Sequence, residues 1–284
     1  MNEPVSFLRP GASPGHAVVE VIDALRQHLK QPVNRRGYIH RIRVDIKRLR
    51  GWLRMIRYHT GEQDWKCTDS RLRAIAKDLS SRRDAQVMVE TLKWLSKKSR
   101  KDSEIHAIEE ICARIQFDLV HHPVDWDKVK SALSDVLTTL RQQALLLKSN
   151  QVIMEGLKKT YKRSLKYGNK AFSGRGSIED LHELRRWIKY LYYQVGYIQA
   201  DYPEQYVDER KYLDKLGNRL GRIHDLHLLE GRLDELSFQT DCSDAAATVG
   251  KIIQKRLDKL IRQSAFLYKK IFTQSSSGFV REIY

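Results

Sequence analysis

The sequence predicts an all-α protein, with two helical bundles produced by an internal duplication. Three observations carry that expectation. Apolar residues recur at steps of three and four, the spacing of one helix face, rather than by alternation. Only six prolines occur in 284 residues, and Pro14, Pro32, Pro123 and Pro203 fall between the periodic segments, where helices end. A pair of short motifs also occurs twice. His40-Arg41-Ile42-Arg43 with Lys47 returns as His182-Glu183-Leu184-Arg185 with Lys189. Leu79-Ser80-Ser81-Arg82-Arg83-Asp84 returns as Leu220-Gly221-Arg222-Ile223-His224-Asp225. Both offsets equal half the chain to within one residue, which points to duplication of a helical unit of domain size.

The elements follow in order. Ser13-Pro14 reads as an N-cap with proline at the first helical position, opening a helix to about Leu29. Helices are expected near 36–60, 64–80, 84–99 and 102–121, and after His122-Pro123 near 125–149 and 151–168. Ala171 to Ser177, rich in Gly and Ser, is the clearest loop. Helices resume near 178–201, 204–220, 225–236 and 244–273, and from Ser275 a mobile tail is expected. The repeated region therefore spans about 13–273, with copies at about 13–122 and 123–273 and a tail at 274–284.

Composition narrows the function. The chain carries 52 Lys and Arg against 35 Asp and Glu, a formal charge of +17, so self-repulsion would be relieved by a polyanionic partner. A hydrophobic content of 41% is enough for a core and excludes wholesale disorder. No run of about 18 uncharged apolar residues occurs, so no membrane insertion is expected. Met1 to Pro14 lacks the apolar stretch of a secretory signal, which predicts a cytoplasmic protein. Cys67, Cys112 and Cys242 are scattered, without zinc spacing, and read as reduced thiols.

The segment after Pro32 holds the densest charge. Between Asn34 and His59 lie nine Lys or Arg and one acid, Asp45. Ile39, Ile42, Ile46, Leu49, Leu53 and Ile56 form a core-facing stripe. One position on, His40, Arg43, Lys47, Arg50, Arg54 and Arg57 form a basic stripe about 100° round the helix, with Arg48 beside it. Like charges at these spacings disfavour a helix by roughly 0.2–0.5 kcal/mol per pair, so a counter-charge is expected from elsewhere. In the second copy Leu181, Leu184, Ile188, Leu191, Val195 and Ile198 make the apolar stripe. His182, Arg185 and Lys189, with Arg186 adjacent, begin the basic one, but Tyr192 and Gly196 continue it.

His40 and His182 head the two stripes, and a protonated imidazole there would donate to an anionic oxygen. Asp84 and Asp225 each fall where a new helix is expected, so each reads as an N-cap or as a carboxylate orienting a nearby cation. Trp187, Tyr190, Tyr192, Tyr193 and Tyr197 could stack bases, although packing between helices is the commoner use of such a run.

These residues resemble the CHAD family, the conserved histidine α-helical domain. Its pattern, His-x-x-Arg-x-x-x-Lys/Arg with further basic residues and then Leu-Gly-x-x-Arg-Asp, occurs twice. His40, Arg43, Lys47, Arg48 and Arg50 with Leu79, Arg83 and Asp84 fit the first copy. His182, Arg185 and Lys189 with Leu220, Gly221 and Asp225 fit the second. The resemblance implies bundles related by a pseudo-twofold axis, with basic residues lining a central cleft or pore. It also implies binding of inorganic polyphosphate and targeting to polyphosphate granules, without catalysis, metal or cofactor. The anion-binding set it implies is His40, Arg43, Lys47, Arg48, Arg50, Arg54, Arg57, Arg83, His182, Arg185, Arg186 and Lys189. Ser80 departs from the motif glycine, His224 from its arginine, and Tyr190 and Tyr192 from basic residues. The second copy is therefore expected to contribute less charge.

Two other readings remain at this stage. Weak nucleic-acid binding follows from the same charge, but no helix-turn-helix, RNA-recognition or zinc-finger signature is present to read bases. His182 with His224-Asp225 is similar to the His…His-Asp ligands of helical HD phosphohydrolases, yet the repeat places Arg83, a poor metal ligand, opposite His224.

Overall fold

A computed structural model of the chain describes residues 15–33, 37–59, 61–79, 83–117, 124–147, 149–237 and 242–281. These form eleven α-helices and, among the described residues, no strand. Ser13 and Pro14, expected to cap the first helix, lie outside the described residues.

Contacts divide the chain into two compact units. The first comprises residues 1–79, 124–214 and 270–284, and the second comprises 80–123 and 215–269. Each unit thus takes helices from both sequence copies, and the division does not follow a boundary near 122–123.

The first unit is built round α2 (Tyr38–Ile56), which packs on α1 (His16–Leu29), α3 (Glu62–Asp78), α7 (Asn150–Ala171) and α8 (Ile178–Asp201). Its predicted stripe is buried from Ile42 onward, each such side chain contributing roughly 1.5–3 kcal/mol. Ile39, nearer the helix start, is only half-buried. Gly51, Trp52 and Met55 are buried as well, so the second half of α2 is apolar on more than one side and needs several helices round it. Helix α6 (Trp126–Leu146) packs on α1 and α3.

Two glycines set how the elements meet. Gly37 precedes α2 with φ +78°, a left-handed conformation that a side chain would strain. Gly156 brings α7 against α2 so closely that a Cβ there would run into the Met55 carbonyl oxygen. Between α2 and α8, the buried Gln194 Nε2 donates to the Gly51 carbonyl at 2.9 Å. The helices carrying the two copies of the histidine motif are therefore direct neighbours. Helix α8 opens with a capping box: the Ser177 hydroxyl accepts from the Asp180 N–H and the Asp180 carboxylate accepts from the Ser177 N–H.

In the second unit α4 (Arg83–Ser96) packs on α5 (Asp102–Phe117). Most of α9 (Val207–Ser237) and α10 (Ser243–Ile271) belong to it too. Arg222 on α9 covers Trp94 on α4 at 4.9 Å, and Gln254 on α10 donates to the Glu230 carboxylate on α9.

Two expectations are corrected. Helices at 204–220 and 225–236 are one continuous helix, so Asp225 lies inside α9 and is not an N-cap. Leu213, Leu216, Leu220, Ile223, Leu226, Leu229 and Leu233 keep a buried three-four rhythm across Gly221, and no proline interrupts it. Asp84 is the second residue of α4, and its side chain is outside the described residues. The tail is also not free: Ser276–Arg281 forms α11, which packs on α7. Phe279 is 2% exposed, stacked on Tyr161 at 4.2 Å and tilted against Tyr206 at 4.7 Å. The hydroxyls of Tyr161 and Tyr206 donate to the carbonyls of Gln274 and Phe279, which fixes the segment at both ends.

Candidate anion-binding site

Helix α2 distributes its cations between internal ion pairs and one open cluster. Near its start His40 is exposed. Arg43 donates to the Ala76 carbonyl at 2.7 Å, serving one of the last carbonyls of α3. Lys47 is half-buried. Arg48 pairs with buried Asp45 at 3.3 Å, and His28 meets the other oxygen at 2.8 Å. Burial pushes the Asp45 carboxyl up, partly offset by those two partners. Arg50 pairs with buried Asp69 at 2.8 Å, and Arg73 shares that carboxylate at 3.1 Å. Asp45 on α2 itself and Asp69 on α3 thus neutralise cations in the middle of the helix.

Arg54 and Arg57 at the end of the helix are held differently. Arg57 lies 4.5 Å from the Tyr58 ring centre and 4.9 Å from that of Trp65. Arg54 lies 5.1 Å from Trp65, 4.9 Å from Trp187 and 4.6 Å from Tyr190. From α7, Lys159 sits 3.3 Å from the Tyr58 ring centre and Arg163 sits 5.8 Å from that of Trp187. Cation and ring therefore alternate: Lys159, Tyr58, Arg57, Trp65, Arg54, Trp187, Arg163. Ring faces attract each cation by about 0.5–2 kcal/mol without cancelling its charge.

Among the described residues no carboxylate lies within ion-pair distance of these four cations. Arg54, Arg57, Lys159 and Arg163 line one open cleft, together with Tyr58 and Trp187. Burial lowers the Arg54 pKa, opposed by Tyr190 and by the Asp69 carboxylate and reinforced by Arg57 and Arg50. The Nε–H of Arg54 and the indole N–H groups of Trp65 and Trp187 are buried donors without a hydrogen-bond acceptor. The site holds surplus positive charge and unused donors, the chemistry that receives phosphate oxygens.

Among the described residues, the basic stripe of α8 makes no comparable cluster. Arg186 is exposed and paired with Glu183 on its own helix. His182 and Arg185 are half-buried. Lys189 lies 5.4 Å from the Tyr192 ring, and burial lowers its pKa against the raising effect of Asp214. The structure thus brings together Arg54 and Arg57 from the predicted set. His40 lies about 21 Å away along the helix axis, and the Arg83 side chain is outside the described residues.

Lys159 and Arg163 were missed by the sequence reading. Their signal is the stretch from Gly156 to Ile178, which carries seven Lys or Arg and no acid. The aromatic run was legible as packing, and Trp187, Tyr190 and Tyr197 are buried. Burial pushes the Tyr193 hydroxyl up to about 12 and Tyr197 higher still, so both stay neutral.

An all-α protein with four cations of α2 and α7 round one cleft is the class these observations define. The chain belongs to the CHAD family: the CHAD domain pattern matches residues 16–234. The crystal structure of the CHAD domain from the plant Ricinus communis is similar, with a TM-score of 0.59 at 16% sequence identity. That match covers 100% of this chain and 96% of the plant one, and it shows a shared fold. No curated protein matches the chain.

Proposed function

We propose that the protein binds inorganic polyphosphate, leaves it chemically intact, and associates through it with polyphosphate granules in the cytoplasm. The observation that carries this reading is the cluster of Arg54, Arg57, Lys159 and Arg163, four cations without carboxylate partners round one cleft. Such groups bind phosphate through charge-assisted hydrogen bonds and counterion release. Polyphosphate is favoured over single-stranded nucleic acid by the state of the aromatics. Trp187 and Tyr190 are buried with cations against them, so they do not offer faces on which bases could stack.

Titration with long-chain polyphosphate, duplex DNA and single-stranded RNA, at matched phosphate and salt, tests the reading. Polyphosphate should bind tightest, with affinity falling steeply as salt rises. Equal or tighter DNA binding would transfer the assignment to nucleic acid. Charge reversal of Lys159 and Arg163 should weaken binding more than reversal of Arg185 and Lys189, with helical content unchanged in both variants. Incubation with magnesium or manganese should release no phosphate, and release abolished by His224→Ala would instead indicate an HD-like hydrolase.

A further inference from the structure

The aromatic spacing of the Arg54 cluster carries information beyond a general affinity for polyanions. A flexible basic stripe adapts to a chain of any shape, because long side chains on one helix move independently. Here two helices and four rings fix the cations. Gly156 seats α7 on α2, Tyr58 lies against both Arg57 and Lys159, and Trp187 lies against both Arg54 and Arg163. Four positive charges therefore converge on one small volume instead of tracking along a surface.

The charge of the cluster defines what fits. A single phosphate group brings only about 1.5 to 2 negative charges near neutrality, too few for four cations. Two or three linked phosphates supply enough. The buried Arg54 Nε–H adds a donor at the base of the cluster, fixed in direction by the rings round it.

We propose that this cleft is a discrete pocket for a di- or triphosphate group, held by Arg54, Arg57, Lys159 and Arg163. The inference rests on the phosphate-polymer reading of the same residues and makes the pocket a terminus-binding subsite. The shared chemistry is a phosphoanhydride-linked group with a free end, supplied by a polyphosphate terminus or by a nucleoside triphosphate.

Calorimetric titration of the full chain with orthophosphate, pyrophosphate, tripolyphosphate and ATP, alongside long-chain polyphosphate, tests the pocket. Tripolyphosphate should saturate at one per chain and bind at least about tenfold more tightly than orthophosphate. Lys159→Ala and Arg163→Ala, both at exposed positions, should each weaken it by about tenfold without change in circular dichroism. ATP binding as tightly as tripolyphosphate would support recognition of the triphosphate group itself, with a nucleotide as its source. Tripolyphosphate tighter than ATP would support the polymer end. Long chains binding while tripolyphosphate shows no saturable site, or binds the two variants normally, would overturn the pocket and leave the polyphosphate reading standing. Binding of neither would overturn both.

Discussion

The guanidinium carbon of Arg54 lies 4.6 Å from the centre of the Tyr190 ring. Arg54 continues the basic stripe of the first sequence copy, and Tyr190 stands where the second copy ceases to be basic. The two departures belong together: the second helix gives up charge and supplies the surface on which the first helix keeps its own. A carboxylate at that place would hold Arg54 as firmly and would also neutralise it.

Trp187→Leu tests whether the rings act on the cations or only fill the core. Loss of the ring removes about 0.5–2 kcal/mol of cation–π attraction from Arg54 and Arg163. Polyphosphate affinity should fall severalfold in an otherwise helical protein. A drop in unfolding stability with unchanged affinity would reduce Trp187 to a packing residue.

Gly156→Ala addresses the seat of α7. The added methyl meets the Met55 carbonyl oxygen, which belongs to helix backbone and yields little, so about 1–3 kcal/mol of stability should be lost. Moving α7 outward also moves Lys159 and Arg163, and anion affinity should drop with stability. Gly174→Ala, which meets nothing within 4 Å, is the matched control and should change neither. Denaturant unfolding and phosphate titration on both variants give the comparison.

The N-terminus of α8 carries a pH dependence of determinate sign. The Lys170 ammonium, 2.7 Å from the Asp180 carboxylate, and the Ser177 N–H hold that carboxyl below its ordinary range. The same pairing raises the Lys170 pKa. Because the folded Asp180 value is depressed, its contribution is complete above the ordinary carboxylate range. It is lost as pH falls through that range to the folded value. The Lys170 contribution is complete below the ordinary lysine range and disappears as pH rises through the raised folded value. Asp180→Asn should therefore lower the melting temperature near neutrality, and the gap from the parent protein should close in acid.

Phe279→Ala separates stability from binding. Removing a buried phenyl ring that contacts Tyr161 and Tyr206 should cost about 3–5 kcal/mol. Amide exchange across 276–281 should accelerate, while polyphosphate affinity of the folded protein stays unchanged.

The sequence by itself determined the helical class, most helix positions and the buried stripe of α2. Each depends on spacing within one segment, and helix periodicity is local. It also located Arg54 and Arg57 on the correct helix face and marked the loop before α8. Where local cues were weak the reading erred. Gly221 and Asp225 read as a break, but apolar residues on both sides of them were buried in one rhythm, and burial outweighs the modest cost of an interior glycine. Phe279 in a short polar tail carried no local sign that Tyr161 and Tyr206 formed a receiver for it. Tertiary structure alone decided which cations are neutralised. Arg50 shares a stripe with Arg54, yet Asp69 of α3 reaches the first and rings of α3 and α8 surround the second. Ion pairing and cation–π contact act over a few ångströms, so their partners are chosen by which helices pack together. That choice joined Lys159 and Arg163, more than a hundred residues onward, to the end of α2.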